Sequence, residues 1–160
     1  MTYTSEKINI GTVIHGTLRN EDLLQAFSDE LARIDETRFQ EVIKHDAHLF
    51  AESANLTTDE IVEELGEHVD DVINDLMDAL NEYAPPHTYF GTIEGDGSDF
   101  GFWPDGEPFE LCDTTDTITP TRLANEVEWI DNDCGVIVNI NDHGNVTVYD
   151  LNRHEIWSAV

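Results

Sequence analysis

The chain has 160 residues, of which 35 are acidic and only 7 are Lys or Arg, giving a net charge of −28. That balance disfavours direct binding to nucleic acid or to an anionic membrane surface and points instead to basic partners, cations or salt. Apolar residues make up 39% of the chain and recur periodically, so the high charge does not imply disorder. A chain this long buries roughly 70% of its unfolded surface and needs no staples.

The charge is not confined to a tail. Residues 1–86 hold 20 acids and 5 bases, and residues 87–160 hold 15 acids and 2 bases. Cys112 and Cys134 form no CxxC pair and read as reduced, buried residues, with a disulfide or metal ligation as alternatives. With no signal peptide and no apolar run near ~18 residues, the expectation is a soluble, cytoplasmic protein.

Ile8 and Ile10 alternate with polar residues and suggest a short first strand, followed by a turn at His15–Gly16. Thr17 or Asn20 is then expected to cap a helix over about 20–35, with Glu21 and Asp22 in its first turn. Its apolar face is Leu23, Leu24, Phe27, Leu31 and Ile34. The run Asp35–Glu36–Thr37 predicts a break. A second helix is expected from 37 to 52, burying Phe39, Val42, Ile43, Leu49 and Phe50. His45 and His48 lie three apart on it, but with no third ligand nearby they read as a solvated face rather than a zinc site.

The most informative stretch is Thr57 to Tyr83, with ten acids and no Lys or Arg. Val62, Leu65, Val69, Val72, Leu76, Leu80 and Tyr83 form an apolar stripe with steps of three and four. Glu60, Glu64, Glu67, Asp71, Asp75, Asp78 and Glu82 form an acidic stripe with similar steps on nearly the opposite helical face. Thr57 with Glu60 matches a capping box, and Pro85–Pro86 ends the pattern. Gly66 costs roughly 1 kcal/mol relative to Ala inside a helix, and it marks either a kink or a split into two helices.

The acidic stripe has an energetic cost. Like charges four apart destabilise a helix by roughly 0.2–0.5 kcal/mol per pair, on the order of 1–3 kcal/mol in total. Solubility needs only about 2–8 net charges. As one helix, the stretch would be about 40 Å long with one carboxylate per ~4 Å, comparable to one phosphate per ~3.4 Å along a DNA strand.

After the prolines the period changes. HTYFGTIE (87–94) and DFGFWPD (99–105) flank Gly95–Asp96–Gly97–Ser98 and predict a β-hairpin. Residues 106–124 read as a loop carrying Asp113 and Asp116, and Glu126–Ile130 as a candidate strand. GVIVNIN and NVTVYDL around Asp142–His143–Gly144 predict a second hairpin, and EIWSAV closes the chain with a strand. The expected fold is α+β: one domain over 1–160, with N-terminal helices (1–86) packed on one face of a C-terminal antiparallel meander of about five strands (87–160).

Catalytic signatures are weak. The GDGSD loop lacks the ligand alternation and terminal Glu of an EF-hand and reads as a hairpin turn. It is no phosphate loop, since no Lys follows it. Trp103, Trp129 and Trp157 sit at strand spacing, which favours packing over sugar stacking. No GxSxG occurs, and His143 and His154 read as turn and surface residues. The expectation is a non-enzyme with no cofactor and no metal.

Three stretches, GTLRNEDLLQAF (16–27), YFGTIEGDGSDFGFWP (89–104) and NDHGNVTVY (141–149), resemble a family of small acidic proteins of phage and other mobile-element genomes. That family usually has Pro where this chain has Asn20, and its activity is unassigned. The resemblance leaves the acidic stretch and residues 105–140 unmatched. It implies a context, an accessory protein of a virus or plasmid acting in the host cell, and transfers no functional residue.

The leading expectation is a nucleic-acid mimic, an anti-restriction or other anti-defence inhibitor. It would occupy the basic DNA-binding groove of a host restriction enzyme, CRISPR effector or other nuclease, since such grooves hold DNA through Lys and Arg. In charge it resembles the phage antirestriction mimics. The acidic stripe is the expected site, with Asp96, Asp99, Asp113 and Asp116 extending it. The alternatives are a salt-adapted acidic protein, an adaptor for another basic host protein such as RNA polymerase, and an enzyme or calcium module. A homodimer would lengthen the charged surface, and the sequence argues neither for it nor against it.

Overall fold

The computed structural model describes residues 8–52, 54–85, 88–104, 136–140, 143, 146–150 and 154–159. The fold is α+β, with helices in the N-terminal half and antiparallel strands mainly after them. Contacts divide the chain into two compact units. One holds residues 7–84 and 89–103, the other residues 1–6, 85–88 and 104–160. Among the described residues the strands fall into two three-stranded sheets rather than one meander.

In the first unit, β1 (Gly11–His15) precedes α1 (Asn20–Val42), a short α2 (Ala47–Phe50) and α3 (Thr58–Leu65). A single 3-10 turn (Gly66–His68) leads into α4 (Val69–Glu82), followed by β2 (Thr88–Ile93) and β3 (Asp96–Pro104). β3 is the central strand and β1 pairs with it antiparallel. The first strand thus starts at Gly11, later than the Ile8/Ile10 alternation suggests, and includes the expected His15 turn. Its register slips at Val13, between the pairs Thr12–Gly101 and Ile14–Phe100. The two strands approach so closely that a Cβ at Gly101 would stand 2.1 Å from the Gly11 carbonyl oxygen.

The helices bury the residues their spacing selects. Leu23, Leu24, Phe27, Leu31 and Ile34 of α1 are all buried, as are Val72, Leu76 and Leu80 of α4. Each such side chain contributes roughly 1.5–3 kcal/mol of burial. α1 packs most extensively on α4 and next on α3. Phe27 meets Phe90 and Phe100 edge-on at centroid separations of 5.3 and 5.4 Å, a favoured aromatic geometry. Phe90 in turn meets Phe102 at 4.9 Å. The Asn81 amide oxygen accepts a bond from the Phe90 N–H, tying the end of α4 to β2.

Two expectations about α1 need correction. Neither Thr17 nor Asn20 caps it. Arg19 is the N-cap residue and makes no side-chain cap bond. Thr17 instead donates to Asp22 at 2.6 Å, and Asn20 donates to Asp70 of α4 at 3.1 Å. The break at Asp35 does occur: its φ of −151° and ψ of 96° kink α1 into two segments. Asp35 Oδ1 accepts from the N–H groups of Thr37 and Arg38, satisfying donors that a helix start leaves bare. The second segment ends at Val42. A turn over residues 43–46 then separates it from α2, so His45 and His48, both exposed, do not share one regular helix.

The second unit contains β4 (Val136–Ile140), β5 (Val146–Asp150) and β6 (Glu155–Ala159), an antiparallel sheet in sequential order. The hairpin expected around His143 is present, in the register Val138–Val148. Val148 and Trp157 are buried and lie opposite each other. The expectations for Cys112, Cys134, Trp129, the 106–124 loop and the strand at 126–130 fall outside the described residues.

The acidic stretch is two helices. Thr57 and Glu60 form the expected capping box at the start of α3, with the Thr57 hydroxyl accepting from the Glu60 N–H and Glu60 accepting from the Thr57 N–H. The bonds its carboxylate accepts from the Thr57 N–H and the Thr57 hydroxyl hold the Glu60 carboxyl below its ordinary range. At the other end Gly66 caps α3 with φ 56° and ψ −125°, a backbone region that only glycine occupies without strain. Helix propensity alone favours Ala at position 66 by roughly 1 kcal/mol. The observed conformation reverses the sign: Gly66→Ala is expected to destabilise the fold by roughly 1–3 kcal/mol. Urea unfolding of the two proteins checks this, and a more stable variant would mean that the helix runs through.

Candidate partner-binding surface

The amphipathic pattern sets the surface. Leu65, Val69, Val72, Leu76 and Leu80 are buried, and Val62 and Tyr83 are half-buried. Ile61, Ile73 and Ala79 join the core, so the apolar face is wider than the stripe read from sequence. All seven residues of the acidic stripe are exposed. The break at Gly66 places Glu60 and Glu64 on α3, Glu67 in the 3-10 turn, and Asp71, Asp75, Asp78 and Glu82 on α4. The expected 40 Å rod is therefore replaced by segments of about 12 and 21 Å. Counting all their acids, each segment keeps about one carboxylate per 3–4 Å of axis, while the stripe alone has one per about 5–6 Å, and the line of charge changes course at Gly66.

Local partners separate the seven carboxylates. Glu60 is occupied in the capping box. Glu82 accepts from Arg38 at 2.9 Å, across 44 residues of sequence. Asp71 lies 3.1 Å from His68 Nδ1, and His68 Nε2 lies 3.7 Å from Asp46. This histidine between two carboxylates was not singled out from the sequence; only the three-residue spacing of His68 and Asp71 was legible there. Glu64, Glu67, Asp75 and Asp78 form no hydrogen bond or ion pair among the described residues.

α1 differs in this respect. Its exposed face interleaves acids with arginines: Arg19 pairs with Glu21, Arg33 with Glu30 at 2.6 Å, and Arg38 with Glu41 at 3.3 Å. The arginines of the described residues thus lie on or beside α1, while residues 57–83 hold no Lys or Arg. Negative charge is thus partly compensated by arginines on α1, whereas on the outer face of α3 and α4 only Glu82 meets one.

The other expected site residues are placed differently. Asp96 opens β3, and its Oδ1 accepts from the Ser98 N–H and hydroxyl. These bonds, with His15 at 3.4 Å, hold its carboxyl below the ordinary range. The hairpin turn is Glu94–Gly95, so the GDGSD segment is mostly strand. Asp99 is half-buried in β3 opposite His15, with its Oδ1 buried and unbonded among the described residues. Asp113 and Asp116 lie outside the described residues. Trp103 donates to the Gly91 carbonyl at 3.1 Å, a cross-strand packing role.

No protein-family model, curated protein or solved structure matches the chain. Among the described residues no group of three or more His, Cys, Asp or Glu is arranged to hold a metal ion. No described helix is long and apolar enough to cross a membrane.

The end of α4 carries a titratable lock. Tyr83 donates to Asp35 Oδ2 at 2.8 Å, and burial, followed by the bond to Asp35 and its charge, pushes the phenol up to about 12. A raised folded value means that this stabilisation is full below the usual tyrosine range near ~10 and is lost as pH rises toward about 12. Asp35→Asn is expected to lower the Tyr83 ionisation while burial keeps it above the usual range. Tyrosinate absorbance, with Tyr83→Phe to assign the step, reads it out.

Repulsion along the stripe gives a second test. Asp71/Asp75 and Asp78/Glu82 are like-charge pairs four apart, each costing roughly 0.2–0.5 kcal/mol. Raising sodium chloride from about 0.01 to 1 M shortens the Debye length from ~30 to ~3 Å, and Tm is expected to rise. The rise is expected to be smaller in a protein carrying Glu64→Lys, Asp75→Lys and Asp78→Lys. An equal salt response in both proteins would place the repulsion elsewhere.

Proposed function

We propose that this chain is a nucleic-acid mimic whose α3–α4 face occupies the basic groove of a DNA-binding protein, with a host defence nuclease as the intended target. One observation carries this reading: Glu64, Glu67, Asp75 and Asp78 stand exposed and unpaired on a face that holds no Lys or Arg, while Glu21, Glu30 and Glu41 of α1 are paired with arginines. A groove that binds DNA does so mainly through Lys and Arg on phosphates, and a rigid array of carboxylates competes for the same cations. Preorganisation supports affinity, because side chains fixed on packed helices have less freedom to lose. The core behind α4 supplies that rigidity.

The resemblance of residues 16–27, 89–104 and 141–149 to acidic phage and mobile-element proteins supports a counter-defence role, with action in the host cytoplasm as part of this proposal. A surface merely adapted to salt would have no reason to leave one helix pair bare of basic residues while interleaving them on another, so the asymmetry favours a partner. An adaptor for a different basic host protein uses the same face and differs only in its target.

The test is a tagged pull-down from bacterial lysate, eluted along a salt gradient and identified by mass spectrometry. The expected product is a DNA-binding protein released at moderate salt. The variant with Glu64→Lys, Asp75→Lys and Asp78→Lys, which spares the His68 contact and the capping box, is expected to lose that partner while its Tm is preserved or raised. Retention of the partner by the folded variant would remove the assignment to this face.

A further inference from the structure

The sheet of the first unit has two edges, β1 and β2, on either side of β3. The edge at β2 is closed from within the chain. The Phe90 N–H donates to Asn81 Oδ1, the Thr88 N–H donates to the Pro85 carbonyl, and the Tyr89 hydroxyl donates to the Thr92 carbonyl. β1 has no such cover. The Gly16 N–H, just past its end, bonds the Ser98 carbonyl of β3. Successive residues of a paired strand send their N–H and C=O groups to opposite sides, so those of His15 point away from the sheet. Among the described residues the backbone of β1 makes no hydrogen bond beyond its pairing with β3, and Thr12 and His15 are exposed.

Composition also sets this edge apart. Residues 8–18, INIGTVIHGTL, hold no Asp, Glu, Lys or Arg, in a chain with 35 acids. Natural sheets blunt an open edge with charged side chains or Pro, and β1 carries neither. Leu18, just beyond the strand, is 64% exposed. The two carboxylates of the neighbouring strand are withdrawn: Asp96 is engaged by Ser98 and His15, and Asp99 is half-buried. Two copies of a chain with net charge −28 repel through most of their surface. At β1 they can approach through uncharged backbone and apolar side chains.

From the open, uncharged edge of β1 and the closed edge of β2, we infer that the chain self-associates through β1. The β1 strands of two copies pair antiparallel about a twofold axis and join their sheets edge to edge. The occupant is a second copy because the edge offers no charge to attract a basic or acidic peptide, and β1 is itself a strand of matching neutrality. Its five residues and the register slip at Val13 limit the new ladder to a few bonds. The association is therefore weak, and it strengthens with salt as the repulsion between the two polyanions is screened. This surface uses no residue of the α3–α4 face and does not rest on the mimic reading.

Sedimentation equilibrium of the full chain, at low salt and at about 1 M sodium chloride where the Debye length is ~3 Å, gives the first test. Monomer is expected at low salt, with a reversible dimer fraction that grows severalfold at high salt. Amide exchange of the native chain then locates the contact. The His15 amide is expected to exchange more slowly as chain concentration rises, whereas the Phe90 amide, already bonded to Asn81, is expected to be unaffected. His15→Pro removes an N–H that bonds nothing among the described residues and is expected to abolish the dimer at the same salt. A chain that stays monomeric at millimolar concentration and high salt would overturn the inference. So would a dimer undiminished in His15→Pro, or concentration-dependent protection confined to elements other than β1. The exchange measurement decides the matter on the native chain even where the proline destabilises β1.

Discussion

The seam between α1 and α4 governs much of the first unit. Leu24, Phe27 and Leu31 on one helix and Val72, Leu76 and Leu80 on the other are buried in a single core with the phenylalanines of β2 and β3. Their burial far outweighs the like-charge cost along α4, since one buried leucine contributes roughly 1.5–3 kcal/mol and one repulsive pair costs roughly 0.2–0.5. The helix can therefore carry a chain of carboxylates on its outer face. The same seam fixes the rotation of α4, so the carboxylates point away from the core as a group.

Polar contacts set the limits of that face. Arg38 ties the last stripe residue, Glu82, to α1, and Asn20 reaches Asp70. Asp35 serves three purposes, ending the first segment of α1, capping the second and receiving Tyr83. At the other end Thr58 donates to Gln25 of α1, and between them Gly66 turns the chain from α3 into α4. The charged surface is consequently held at both ends and bent within.

Much of this was legible in the sequence because it is local. The three-and-four spacing of the apolar residues gave the buried faces of α1 and α4, the Thr57–Glu60 pair gave the cap, and Asp35–Glu36–Thr37 gave the break. What the sequence hid depends on distant partners. Nothing near Gly11 announces that its strand pairs with β3 nearly 90 residues later. Asn20 looked like a cap because its type favours caps, and the nearby acceptor on α4 won instead. The direction of Gly66 could not be read, since glycine is tolerated in a helix as well as at its end. Of the candidate site, exposure of the stripe followed from periodicity. The engagement of Glu82 and Asp71 and the half-burial of Asp99 required the tertiary arrangement.

The central claim is that this surface and DNA compete for one groove. The most direct measurement is a competition titration on the DNA-binding protein captured from lysate: a fluorescent duplex is bound first, and this chain is then added at constant salt. The account predicts full displacement, with duplex and chain mutually exclusive on the partner. A ternary complex, in which the chain binds while the duplex stays in place, would contradict it.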